Sequence, residues 1–189
     1  MKYKNNSSIK LSAYQKIDQH ITADQLVEIF NQLFRDSEKT VLVDGQKIGK
    51  LEPLYVPATE TEPARIIFAH GFVTSACHEI AHWCYAGKER RKLVDYGYWY
   101  AGDDRNQEQQ DTFEKVEVIP QAYELILSKA CGIPFKVSLD NFNPDVQLDR
   151  DAFTKKVEAM AEKKEREGMS ERLRVLVKAV STLKLPTNP

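Results

Sequence analysis

The run His78-Glu79-Ile80-Ala81-His82 constrains this protein more than any other stretch of its sequence. On a helix, residues four apart differ by about 40° around the axis and by one turn in height. Both imidazoles then converge above one helix face, where they can share one metal ion. Ala81 and Trp83 beside them are core-type residues. Cys77 and Cys84, seven apart, fall on nearly the same side of the helix and read as its core face. A central helix with a polar pair on it is therefore the first element of the fold.

The rest of the sequence must build a core around that helix. Its 189 residues suit one domain with a full-sized core. Lys and Arg number 27 against 28 Asp and Glu, so no bulk positive field exists for gripping nucleic acid. No run approaches the ~18 apolar residues of a membrane span. Met1 to Lys16 is polar and lacks the apolar centre of a secretory signal. The three cysteines, Cys77, Cys84 and Cys131, are odd in number and show no CxxC spacing. They read as buried free thiols in a cytoplasmic protein.

Along the sequence, residues 1–20 read as a flexible tail and 21–189 as a single catalytic domain. Thr22 and Gln25 form a capping box before Leu26, Ile29, Phe30, Leu33 and Phe34, which recur at helical spacing. Thr40 to Val43, Leu51 to Val56 and Arg65 to Ala69 read as extended segments, with a turn at Asp44-Gly45. Thr74 or Ser75 is expected to cap the histidine helix, which should stop near Gly87. Tyr96 to Tyr100 reads as an aromatic strand. Pro120 suits the first turn of a further helix ending near Gly132. Phe135 to Leu139 reads as a last strand, and helices are expected over 150–167 and 171–183, with Ser170 capping the second. The resulting class is α+β, a small mixed sheet with packed helices.

An open metal site needs a third protein ligand. His20 falls in the tail, and His70, just before the histidine helix, suits substrate contact better than ligation. A carboxylate remains. Glu117, bracketed by Val116 and Val118 near an expected helix start, is the preferred candidate, because a carboxylate in apolar surroundings needs a partner. Asp95 and Glu114 compete with it. Glu79 does not join the ligand pair naturally and reads as a catalytic acid or base beside it. Tyr98 and Tyr100 are candidates for an aromatic wall against an aliphatic cation.

Beyond the histidine motif, Phe68-Ala69-His70-Gly71-Phe72, Trp83-Cys84, Ala86-Gly87-Lys88 and Arg90-Arg91 form an ordered set with Leu93-Val94-Asp95 and Gly97-Tyr98-Trp99-Tyr100. Phe113-Glu114, Val116-Glu117-Val118 and Pro120-Gln121-Ala122 continue it. Over roughly residues 24–155 this set resembles the bacterial elongation factor P hydroxylase family. The resemblance implies hydroxylation of a lysine on elongation factor P after a β-lysyl group has been attached to it. It also implies a fold similar to a metal-dependent ribosomal-RNA maturation endoribonuclease. Non-haem Fe(II), held in a 2-His-1-carboxylate arrangement by His78, His82 and Glu117, is the implied cofactor and dioxygen the co-substrate. Another divalent metal fits the same ligands. The competing reading is a zinc-dependent peptidase or nuclease with Glu79 as general base.

Overall fold

The computed structural model describes residues 20–97 and 104–182. Helix α1 (Ala23–Phe34) opens on the expected capping box, Thr22 and Gln25 each bonding the other's backbone N–H through its side chain. Leu26, Ile29, Phe30 and Phe34 are buried, as their spacing predicts. Ile21, one residue before the cap, is fully buried, and its N–H donates to the Cys131 carbonyl at 3.0 Å. Residues 1–19, where the tail is expected, lie outside those described.

Three short strands form the sheet: β1 (Thr40–Asp44), β2 (Leu54–Val56) and β3 (Ala64–Phe68). Their order is β1-β3-β2, with β3 parallel to β1 and antiparallel to β2. Leu42 and Tyr55 both pair with Ile66 across the central strand. On each edge of the sheet a side chain bonds an outer strand's backbone. Asn31 on α1 accepts from Leu42 N at 2.8 Å and donates to Leu42 O at 3.2 Å. On the opposite edge, Asp95 Oδ1 accepts from Tyr55 N at 2.8 Å.

Helix α2 (Val73–Tyr85) carries the two histidines and packs against β3 on one side and α3 on the other. Its start departs from expectation. Phe72 is the capping position, and its side chain makes no bond to the helix start; Ser75 Oγ instead accepts from Ala69 N at 3.0 Å, tying the end of β3 to the first turn. The helix ends at Tyr85, close to Gly87 as expected. Trp83 packs edge-on against Phe30 and Phe34, with centroids 5.1 and 5.0 Å away, and joins α1 to α2.

Helix α3 (Gln107–Cys131) overturns the placement of Pro120 at a helix start. Asn106 and Gln109 form a capping box well upstream of Pro120, and the helix runs through the proline to Gly132, whose φ of 75° closes it. Glu117 therefore lies mid-helix, away from the positive end of the dipole.

The strand expected over residues 135–139 is irregular. Side chains satisfy its backbone instead: Ser138 N donates to Gln121 Oε1, Gln121 Nε2 donates to Ser138 O, and Arg150 donates to Val137 O. Tyr96 lies in a tight turn (Val94–Gly97) rather than a strand, with Asp95, Tyr96 and Gly97 all at positive φ.

Helices α4 (Arg150–Glu167) and α5 (Glu171–Ser181) match the expected pair, and Ser170 caps the second. Helix α4 covers α3, while α5 lies against α1, α2 and α3. One contiguous core, from Ile21 to Val180, links all of these elements. The described residues thus form a mixed α+β domain with packed helices around a small sheet. No described helix is long and apolar enough to cross a membrane.

Candidate metal centre

His78 and His82 project from one face of α2, with their Nε2 atoms 3.2 Å apart. Glu117, from α3, brings Oε1 within 3.5 Å of His82 Nε2. One ligand atom from each of the three residues lies within 4.8 Å of the other two. A metal ion about 2.0–2.2 Å from two neighbouring ligands holds them roughly 3.0–3.5 Å apart. The two closest spacings match that geometry. Two imidazoles and one carboxylate also suit a divalent transition metal and leave coordination positions open.

The electrostatics agree with such a site. Burial opposes charge on Glu117, but the charge and hydrogen bond of His82, with help from His78 and Gln121, outweigh it and hold its carboxyl at about 2. Burial likewise opposes a charged His78 ring, yet the hydrogen bond and charge of Glu124 raise it to about 10. Positive and negative groups are held together here at a desolvation cost.

A family comparison decides what the site belongs to. The family described as "EpmC: Elongation factor P hydroxylase" matches residues 29–185. A curated relative, the elongation factor P lysine hydroxylase of Haemophilus influenzae (strain ATCC 51907 / DSM 11121 / KW20 / Rd), is 47% identical over 161 residues, covering 83% of this protein and 86% of the relative. The chain belongs to the elongation factor P hydroxylase family.

Within this elongation factor P hydroxylase fold the other candidates fall at varied places. Glu79 adjoins the cluster on α2 and is only partly exposed. Its carboxyl is raised, first by burial and further by Glu117 and Asp95, against the lowering pull of His78 and His82. Asp95 is engaged with the Tyr55 backbone rather than with the histidines, and Glu114 faces Lys156 at 3.8 Å. Neither belongs to the clustered set. His70 is exposed in the loop entering α2, at a φ of 57°, with its ring 5.9 Å from that of Phe72. Tyr98 and Tyr100 lie outside the described residues.

The cysteines supply no ligand to the cluster. All three are free and buried, and burial pushes the Cys84 thiol up to about 12. The Cys77 and Cys131 sulfurs approach to 4.0 Å between α2 and α3.

Two polar residues at the site were not singled out from the sequence. Gln121 Nε2 donates to Glu117 Oε2 at 3.2 Å while its amide also clamps Ser138, leaving Glu117 Oε1 on the His82 side. Glu124 Oε2 lies 2.8 Å from His78 Nδ1. A signal for both was available. Glu117, Gln121 and Glu124 are spaced i, i+4, i+7, which puts all three on one face of a helix.

Proposed function

We propose that this protein hydroxylates a lysine of elongation factor P that already carries a β-lysyl group, at a non-haem iron centre. His78, His82 and Glu117 are the ligands in this reading. The observation that carries it is the meeting of these three side chains, from two helices, in a member of the elongation factor P hydroxylase family. Iron held by these three side chains would supply dioxygen activation.

The overall change replaces a C–H bond of the modified lysine by C–OH. One oxygen atom of dioxygen enters the product, and the other leaves as water with two protons and two electrons from an external reductant. The protein's own share is binding, orientation and proton management. Glu79, beside the histidines and biased toward its protonated form, is placed to hold or return a proton. His70, and Tyr98 and Tyr100 on sequence grounds, are the proposed contacts for the long ammonium-bearing side chain. The free thiols fit a cytoplasmic location.

The family assignment favours this reading over the zinc hydrolase, which would use the same ligands. The test is intact-mass analysis of β-lysylated elongation factor P incubated with this protein, Fe(II), a reductant and oxygen. One added oxygen atom, labelled when ¹⁸O₂ replaces ordinary oxygen, is the expected product. An unchanged or cleaved substrate overturns the proposal.

A further inference from the structure

We infer that Glu124 is a positioning residue, fixing the ring of His78 so that Nε2 and not Nδ1 is presented to the metal. The inference rests on the reading of His78, His82 and Glu117 as ligands and deepens it.

The geometry begins with how α2 and α3 cross. His82 pairs with Glu117, and His78, one turn earlier on α2, pairs with Glu124, two turns later on α3. The helices therefore run antiparallel across the site, and two carboxylates from one face of α3 serve two histidines from one face of α2. Their tasks differ because they meet different ring atoms. Glu117 approaches the Nε2 side, where the two histidines converge; Glu124 meets Nδ1, on the other side of the His78 ring.

An ionised carboxylate can only accept a hydrogen bond. The Glu124 contact therefore requires the proton on Nδ1. It also fixes ring rotation, so that Nε2 points at His82 Nε2, 3.2 Å away. A ring flipped about its Cβ–Cγ bond would lose this bond and put Cε1, a carbon, where Nε2 now faces His82. Metal-bound histidines gain affinity when the remote N–H is held in this way.

A general structural role for Glu124 has little support. Its side chain is only 10% exposed, and His78 is its sole ion-pair partner among the described residues. A carboxylate so placed carries a desolvation cost that no described Lys or Arg offsets. Glu114, on the same helix, is the contrast: it faces Lys156 and takes no part in the cluster.

The test compares the full-length protein with Glu124→Gln, Glu124→Asp and Glu114→Gln. Zn(II) affinity is measured by chelator competition, and the histidine ring resonances of the zinc-loaded proteins by ¹⁵N–¹H NMR. Wild type should bind zinc and show a His78 Nδ1–H proton shifted far downfield by its charged acceptor. Glu124→Gln should bind roughly 10–100-fold more weakly, with that proton moved upfield, and Glu124→Asp should recover part of both. Glu114→Gln removes the same charge from the same helix and should stay within about twofold of wild type.

Unchanged zinc affinity in Glu124→Gln overturns the inference while leaving the ligand assignment intact. Weaker binding with the Nδ1–H resonance unmoved also overturns it, since the carboxylate would then act through charge alone. A wild-type protein that binds no zinc overturns the ligand reading itself, and the inference with it.

Discussion

The Arg172 guanidinium stacks 4.6 Å from the centre of the Trp83 ring and donates to the Trp83 carbonyl at 2.9 Å. The same nitrogen reaches the carbonyls of Cys84 and Ala86, at 3.1 and 2.7 Å. These are carbonyls at the C-terminal end of α2, which carry the negative end of its dipole and lack helical partners. A residue of α5 thus caps the helix that holds both histidines. Arg172→Ala should lower unfolding stability by about 2–4 kcal/mol, combining lost charged hydrogen bonds with the lost ring contact. Arg172→Lys should recover less than half, because an ammonium placed at the three carbonyls has no planar group to lay over the Trp83 ring. Urea denaturation of both variants checks this; a loss under about 0.5 kcal/mol for Arg172→Ala, the size of an ordinary surface change, contradicts the capping role.

Removing a ligand should cost far more metal than removing a neighbouring carboxylate. His78→Ala, His82→Ala and Glu117→Ala are each expected to lose bound metal on purification, since two remaining ligands hold a divalent ion poorly. Asp95→Ala and Glu114→Ala should retain it. Metal analysis of the purified variants decides. Full occupancy in Glu117→Ala would transfer the third position to another group.

Gln121 tests how far the orientation of Glu117 matters. Gln121→Leu keeps the bulk but strands Glu117 Oε2 and both backbone groups of Ser138. A stability loss of about 2–4 kcal/mol is expected from the unsatisfied groups. Metal affinity should fall roughly tenfold as Glu117 becomes free to rotate. Retention of wild-type affinity in a destabilised variant would show that Gln121 serves only the 135–139 segment.

In the metal-free protein, pH should act on the cluster from both sides. Glu117 is depressed to about 2, below the ~4.3 of a free Glu, so its contribution is present above ~4.3 and is lost as pH falls through 2. His78 is raised to about 10, above a free value of ~6.5. Its contribution is complete below ~6.5 and is lost as pH rises through 10. Both therefore operate fully between about pH 4.3 and 6.5. Denaturation midpoints of the apo protein should decline on either side of that window, and bound metal, which takes the place of the ring proton, should flatten the alkaline decline. An alkaline limb that is identical with and without metal contradicts this.

Elements with strong local signals are legible in the sequence. The Thr22 capping box, the histidine helix and the Ser170 cap each depend on residues within a few positions of one another. So does the spacing of the two histidines on α2. Sequence reasoning fails where distant side chains replace local signals. Residues 135–139 have the composition of a strand, but Gln121 and Arg150 occupy their backbone groups. Pro120 has the signature of a helix start, but the Asn106 capping box upstream and burial of the surrounding α3 residues carry the helix through it. Glu117 stands out by its apolar neighbours, although its place in mid-helix does not. Glu124 is marked only by its helical spacing from Glu117 and Gln121, since its partner lies 46 residues away.

The side chains that close the sheet also limit how a protein can be recognised. Many enzymes that act on polypeptides hold them as an added strand, using free backbone groups along a sheet edge. Here Asn31 already occupies the Leu42 backbone on one edge, and Asp95 the Tyr55 N–H on the other. At those two points a visiting backbone meets no vacancy in the ladder. Recognition there must fall to side chains and surface shape, which can select one folded protein and one lysine on it, whereas a strand-binding edge would accept almost any extended peptide.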